Sequence, residues 1–510
     1  MKRSIPLFVV VVALAGCSAA SGVSQTNPST VPPRSVAPTQ SATALSPPLS
    51  ETSTPTPALA TKSPALSTIP SPTVTGAVPT ATAVHSFATT PPATAVRPSA
   101  TAPARSPTHA SATATKPTQP SLIWRSAALD GDVYGSPVVG QGRVYVATQA
   151  NSLYALDEAS GKVLWRTTIG PPVPRSSLPC GNVSTTGILS RPVLDPSGTR
   201  LYGVAFVAPG QHYFVAVDAA SGQVLIRQPV DPPGANPLVQ QQRSALVAAN
   251  GNVYVAYGGL WGDCGPYHGW VVAVGPGTGQ IVASYQVPTN REGGIWAPAA
   301  PLVSPSGDLY VATGNGDSTQ NFDYGNSVLR LSPSLALRDW FAPTNWATLN
   351  AGDTDIGSTA PVSAGGTLIF QIGKSGQGYL LRANNLGHLG GEAFSGAVCG
   401  AAFGGTTFVA PDLYVPCENG LVALRVDDNR PSFSTTWQFT ANFPGQPVIA
   451  SGVLWTITRD GGLVGLAPSS GKQLYRFAIG PVMHFASPTA ADGYLFAPGA
   501  RQISTYSIGP

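Results

Sequence analysis

Asp353-Thr354-Asp355, Lys374, Gly314-Asn315-Gly316, Asp263-Cys264 and Trp296 are the residues of this chain whose types suit chemistry. Carboxylates beside an ammonium can hold and move a proton. Amide and carboxylate oxygens suit a hard cation, and an indole offers a flat face for stacking. Taken singly, each also has an ordinary role. Asn315 sits in a Gly-Asn-Gly turn, where Asn tolerates left-handed geometry. The aspartates can close turns, Trp296 can fill a core, and Lys374 can pair with a carboxylate at the surface. Other signatures fail. The six histidines show no metal-ligand spacing, and there is no Gly-x-Ser-x-Gly elbow, phosphate loop or Cys-x-x-Cys-His.

The elements that must position these residues are repeated. The clearest unit runs Ser136-Pro137-Val138-Val139, then Arg143 to Ala147, then Ser152 to Asp157, then a turn at Ser160-Gly161, then Lys162 to Arg166 around Trp165. Each piece alternates apolar and polar residues and is bounded by a turn, the pattern of a short strand. The Pro-apolar opening returns at Pro192, Pro301, Pro361, Pro447 and Pro488, and the Ser/Thr-Gly turn returns at Gly222, Gly279 and Gly471. Units of roughly 49 residues suit propeller blades. The last unit ends at Gln502 to Ile508 without a fourth strand, whereas Leu122-Ile123-Trp124-Arg125 resembles a fourth strand with nothing before it. Joining the two predicts an all-β, eight-bladed β-propeller closed by its N-terminal strand. A seven-bladed ring, with the fifth or sixth unit miscounted, is the alternative.

The turn from Ala155 through Asp157, Ser160 and Gly161 to Trp165 resembles the repeat of pyrroloquinoline-quinone (PQQ) propellers. That family includes quinoprotein alcohol dehydrogenases and the cofactor-free outer-membrane assembly-factor lipoprotein. In the dehydrogenases a tryptophan floors the quinone, a disulfide between adjacent cysteines covers it, and Glu and Asn hold calcium. Here Gly293-Gly294-Ile295-Trp296 is similar to the floor segment and Ala312 to Gly316 to the Asn-ligand segment. Asp353 to Asp355 with Pro361 is similar to the segment of the catalytic Asp, and Gln371 to Gly376 to that of the basic residue. The resemblance implies Trp296 and Asn315 as cofactor contacts, Asp355 and Lys374 as catalytic groups, and Asn315, Asp355 and Asp263 as metal ligands. Two departures weaken that implication. Cys264 stands where the Glu ligand is expected, with Asp263 beside it, and Cys180 is followed by Gly181 instead of a second cysteine.

Composition divides the chain at 1–16, 17–120 and 121–510. Lys2, Arg3 and an apolar run to Ala15 form an export signal, too short to span a bilayer. Leu14-Ala15-Gly16-Cys17 resembles a lipobox, which makes Cys17 the lipidated residue. The next hundred residues are almost wholly Ser, Thr, Pro, Ala and Val, a composition expected to stay disordered as a stalk. The chain's +4 belongs to these segments. They carry seven of the 27 basic residues and one acid, Glu51, leaving 20 basic and 22 acidic side chains beyond them. No clustered basic face points to nucleic acid.

Four cysteines remain in the exported domain, an even count that favours pairing. Cys399 and Cys417 occupy positions that can face each other in an antiparallel blade. Cys180 and Cys264 fall on loops of one face, near the quinone site by the resemblance, and form the second expected pair. The expected protein is extracytoplasmic and lipid-anchored, with no resident cofactor. Its top face binds a protein, glycan or small molecule. A PQQ- and calcium-dependent alcohol or sugar dehydrogenase is the alternative. Mass spectrometry of membrane-extracted protein should find a diacylated Cys17 as its N-terminus, and Cys17→Ala should release the protein from the membrane.

Overall fold

The computed structural model describes residues 119–509. Cys17, the export signal and nearly all of the stalk lie outside them. Eight blades, each built on four antiparallel strands, follow one another around a ring, and the third and fourth carry a short fifth strand. The first is formed by Val138–Gly140, Arg143–Ala147, Ser152–Asp157 and Val163–Thr168. The next six occupy residues 193–229, 247–286, 302–342, 362–397, 407–440 and 448–478. The fifth and sixth units are complete blades, which removes the seven-bladed alternative. Thr489–Ala491, Tyr494–Pro498 and Ile503–Ser507 make three strands of the eighth, and Ser121–Arg125 supplies the fourth. Leu122 pairs with Tyr506 and Trp124 with Thr505, so the first and last strands of the domain lie side by side.

The strand patterns explain the packing. Middle strands such as Ser152–Asp157 are buried along almost their whole length, whereas an outer strand such as Ile281–Gln286 alternates. A two-faced apolar sheet must be covered on both sides, and each blade is covered by its neighbours. Val138, Tyr145, Leu153 and Trp165 of the first blade share a core with Leu201, Val215 and Val217 of the second. Trp124, Phe496 and Ile503 of the eighth pack with Val144, Val146 and Leu156 of the first. The seam thus has the same kind of core as the interior of the ring.

A recurring lock joins blades. Trp124 of the eighth blade lies against Gly161 of the first, so closely that a Cβ there would collide with the indole, and its Nε1 donates to the Glu158 carbonyl at 2.9 Å. Trp165 meets Gly222 and donates to Ala219 O at 3.1 Å, and Trp437 meets Gly471 and donates to Pro468 O at 2.7 Å. The turn is shaped by its aspartate. Asp157 Oδ1 accepts from the Ser160 amide at 2.8 Å, which presents Gly161 at φ +69°.

Cys399 and Cys417 form a disulfide with Cα atoms 6.4 Å apart, although the residue opposite Cys417 is Ala402. The bond therefore ties the loop leaving the fifth blade to the second strand of the sixth. With a second disulfide at the ring's face, it fits an oxidising, extracytoplasmic compartment. No helix among the described residues is long and apolar enough to cross a membrane.

Deleting residues 18–115 should leave the thermal midpoint nearly unchanged. Deleting 18–127 removes the seam strand and Trp124, exposes the edge of Ile503–Ser507, and should cause aggregation. Equal stability of the two truncations would contradict the split blade.

Candidate functional site

The segments singled out in the sequence converge on one cavity of about 370 Å³. Its walls include Trp296, Asn315, Asp353, Asp355, Lys374 and Asp263, drawn from loops of the third, fourth and fifth units. Backbone hydrogen bonds hold these loops in register. Gly293 N donates to Asn315 O at 2.7 Å, Gly314 N to Gly294 O at 2.8 Å, and Ile295 N to Tyr257 O at 3.0 Å. Lys374 N donates to Asp355 O at 2.8 Å, and Gly373 sits so tightly against that carbonyl that a Cβ would overlap it. The glycine is what lets the two chains touch.

Asp355 is the electrostatic centre. Its side chain is 2% exposed and pairs with Lys374 Nζ at 2.7 Å. Its other oxygen accepts from Trp296 Nε1 at 2.9 Å. Lys374 also reaches the exposed Asp353 at 2.7 Å, so the surface pairing read from the sequence is half of a bridge between two carboxylates. Burial raises the Asp355 pKa, opposed by the Lys374 charge. Burial alone would lower that of Lys374, but Asp355 and Asp353 together outweigh it and the ammonium is held more firmly.

The remaining polar groups are also engaged. Asn315 Nδ2 donates to Glu292 Oε2 at 2.8 Å, and Arg291 pairs with the other oxygen of Glu292. Asp263 Oδ1 accepts from Tyr267 Oη at 2.6 Å, and its carbonyl accepts from Arg291 at 2.9 Å. Burial and then the Asp263 charge push the Tyr267 pKa up, so the phenol stays a donor. Cys180 and Cys264 are bonded, Cα atoms 6.1 Å apart. The pair packs with Leu178, Phe206 and Leu260, and neither cysteine lines the cavity.

The far wall is aromatic. Phe403, His484 and Phe485 line it, with the His484 and Phe485 rings stacked at 3.7 Å. Burial, then the charges of Arg243 and Arg459, push the His484 pKa down to about 4, so the imidazole is neutral near pH 7. The Arg243 guanidinium lies 4.9 Å from the Trp296 ring centre and 5.4 Å from that of Phe485.

This arrangement resembles known proteins along most of the domain. A family model of PQQ-type repeats, described as outer membrane protein assembly factor BamB, matches residues 108–337. The chain is an eight-bladed β-propeller similar to the PQQ type. A polyvinylalcohol dehydrogenase of Pseudomonas sp is 23% identical, over 74% of this chain and 69% of that protein. The quinohemoprotein alcohol dehydrogenase from Comamonas testosteroni matches with a TM-score of 0.58 at 17% identity, over 76% of each chain. BamB from Moraxella catarrhalis matches with a TM-score of 0.52 at 14% identity, over 76% of this chain and 98% of its own. At such identities the two structures speak for fold alone.

Two groups of the site, one in the cavity wall and one behind Asn315, went unread in the sequence. Glu292, the carboxylate that Asn315 touches, directly precedes Gly293-Gly294, and beside Arg291 nothing in its type or spacing distinguishes it from an ordinary surface charge. Arg243 ends the run Gln240-Gln241-Gln242-Arg243, whose three glutamines are all buried. Four polar residues at the entrance to an apolar blade were the available signal. The Asp355 charge rests on Lys374. Lys374→Met should therefore cost about 3–5 kcal/mol where Asp355 stays ionised, as for a buried pair losing one partner. The raised Asp355 pKa sets the sign. The deficit should shrink as pH falls toward about 4 and grow as pH rises through the folded-state pKa, measurable as the gap in thermal midpoint between variant and parent.

Proposed function

We propose that this chain is an extracytoplasmic binding propeller, tethered through lipid on Cys17, whose face cavity receives a flat, ring-bearing small molecule. One observation carries the reading: the acidic groups of the expected metal set are already bound within the protein. Asp355 is held by Lys374 and Trp296, and Asp263 by Tyr267. The amide of Asn315 is turned toward Glu292, and Cys264 is spent in a disulfide. Among the described residues no three His, Cys, Asp or Glu side chains are grouped to hold a metal ion. Calcium does not fit this donor set, and no step is derived through it. The cavity is of ligand size, with an indole on one side and stacked His484 and Phe485 on the other.

A quinoprotein dehydrogenase is the second reading. The contact of Trp296 with Asp355, itself paired to Lys374, favours it, since it sets a carboxylate and an ammonium beside a stacking surface. PQQ is the probe that separates the two. Titrated into purified protein, it should bind with quenching of indole fluorescence, equally with and without Ca²⁺, and support no dye-linked alcohol oxidation. Trp296→Phe should weaken the binding. Calcium-dependent binding with turnover would overturn the binding-module reading in favour of the enzyme, and no binding at all would refute the cavity assignment.

A further inference from the structure

Behind the face cavity runs a narrower space of about 70 Å³, several times the 10–15 Å³ that holds one water. Residues from most of the blades line it, so it lies on the ring axis. Small residues such as Gly135, Ala299, Ala300, Gly404 and Gly405 keep it open, and two arginines, Arg191 and Arg243, stand in its wall. No Asp or Glu lines this space. Arg243 bonds only the Trp296 carbonyl, at 3.4 Å, and feels the Tyr134 and Asp355 charges from a distance. The Arg191 carbonyl accepts from Leu246 N at 3.2 Å, while its guanidinium makes no hydrogen bond or ion pair among the described residues.

The channel wall offers no counter-charge, and Asp355, which Arg243 feels from a distance, is already paired with Lys374. Burial pushes the Tyr134 phenol up to about 12, so it is neutral. Gln446 and Ser487 are the other polar residues from the later blades, and both already donate, to Thr406 O and Phe485 O. Ser190 Oγ, beside Arg191, and Thr406 Oγ1, beside Gly405, are buried without a hydrogen-bond partner. Burial brings the pKa of Arg243 down to about 10, yet it remains a cation, as does the exposed Arg191. Two guanidinium groups, an exposed Arg191 and a half-buried Arg243, thus face one small space whose wall holds no acid.

We propose that the axial channel is a binding site for a small oxyanion, a carboxylate or phosphate group gripped by Arg191 and Arg243. A planar guanidinium matches such a group with two parallel hydrogen bonds, and two of them neutralise it fully. Because Arg243 and Phe485 border both spaces, the oxyanion is either a free ion or the acidic end of a molecule lying in the face cavity. The site does not depend on the proposed function, since Arg191 lines the channel alone.

The test uses the full chain in chloride, with phosphate or acetate added at constant ionic strength. One of the two should raise the thermal midpoint saturably, as a ligand of the native state must. Arg191→Gln should abolish that response. In chloride alone it should unfold no earlier than the parent, because it removes one of two like charges that share the channel. Arg191→Lys should bind roughly tenfold more weakly, having lost the forked contact. Equilibrium dialysis with labelled phosphate and labelled acetate on the unmodified chain should count one bound ion, independently of any variant's folding. No response to either anion, no bound ion, or an Arg191→Gln protein that responds like its parent would overturn the proposal. PQQ binding unchanged in Arg191→Gln would place the two sites apart, and its loss would overturn the channel's independence.

Discussion

An indole laid over the next blade's turn glycine is the contact on which the ring depends. The sheets are apolar on both faces and cover one another, but face-to-face packing alone fixes neither the distance nor the angle between neighbours. The lock fixes both. A Trp side chain on an outer strand reaches across to a glycine held in left-handed geometry, and its Nε1 finds a carbonyl of the same turn. The apolar contact supplies the energy and the hydrogen bond supplies the register. Trp124 uses this device at the seam just as Trp165 and Trp437 use it within the chain, so the ring is joined at its ends as it is along its length.

A ring fixed in this way gives loops on one face a rigid base. The cavity takes side chains from several blades, and each is positioned by backbone pairing between successive loops. Its central carboxylate is buried, and an ammonium from a neighbouring loop keeps it charged. Moving the fifth blade by an ångström would part Lys374 from Asp355, so the geometry of the site is a property of the ring.

The strands, their count and the split blade were legible because they rest on local pattern: alternation, proline-led openings and Ser/Thr-Gly turns. Cys399–Cys417 was legible from nearby positions in one unit, and Cys180–Cys264 from the blade order and the family resemblance, which bring two loops of one face together. The convergence of Trp296, Asn315, Asp355 and Lys374 followed from short strings in a family's order. Side-chain direction was not legible. Whether Asn315 turns its amide to Glu292, or Lys374 spans two aspartates, depends on loop positions set by distant blades. Arg243 was missed for a related reason. Its importance comes from what it faces, the indole of a residue 53 positions later, and a single sequence carries no mark of that.

The seam also orders events in time. Ser121–Arg125 is the first strand of the domain to be synthesised, and its partner Ile503–Ser507 is the last. At about 5–20 residues per second, the 384 positions between Leu122 and Tyr506 take about 20–80 s to make. During that interval Trp124 has only the first blade to pack against, and the eighth blade does not exist. The ring is thus completed only by a whole chain. A protein interrupted short of its last strand keeps an open edge at one end and an orphan strand at the other, both of them visible to the machinery that removes unfinished products.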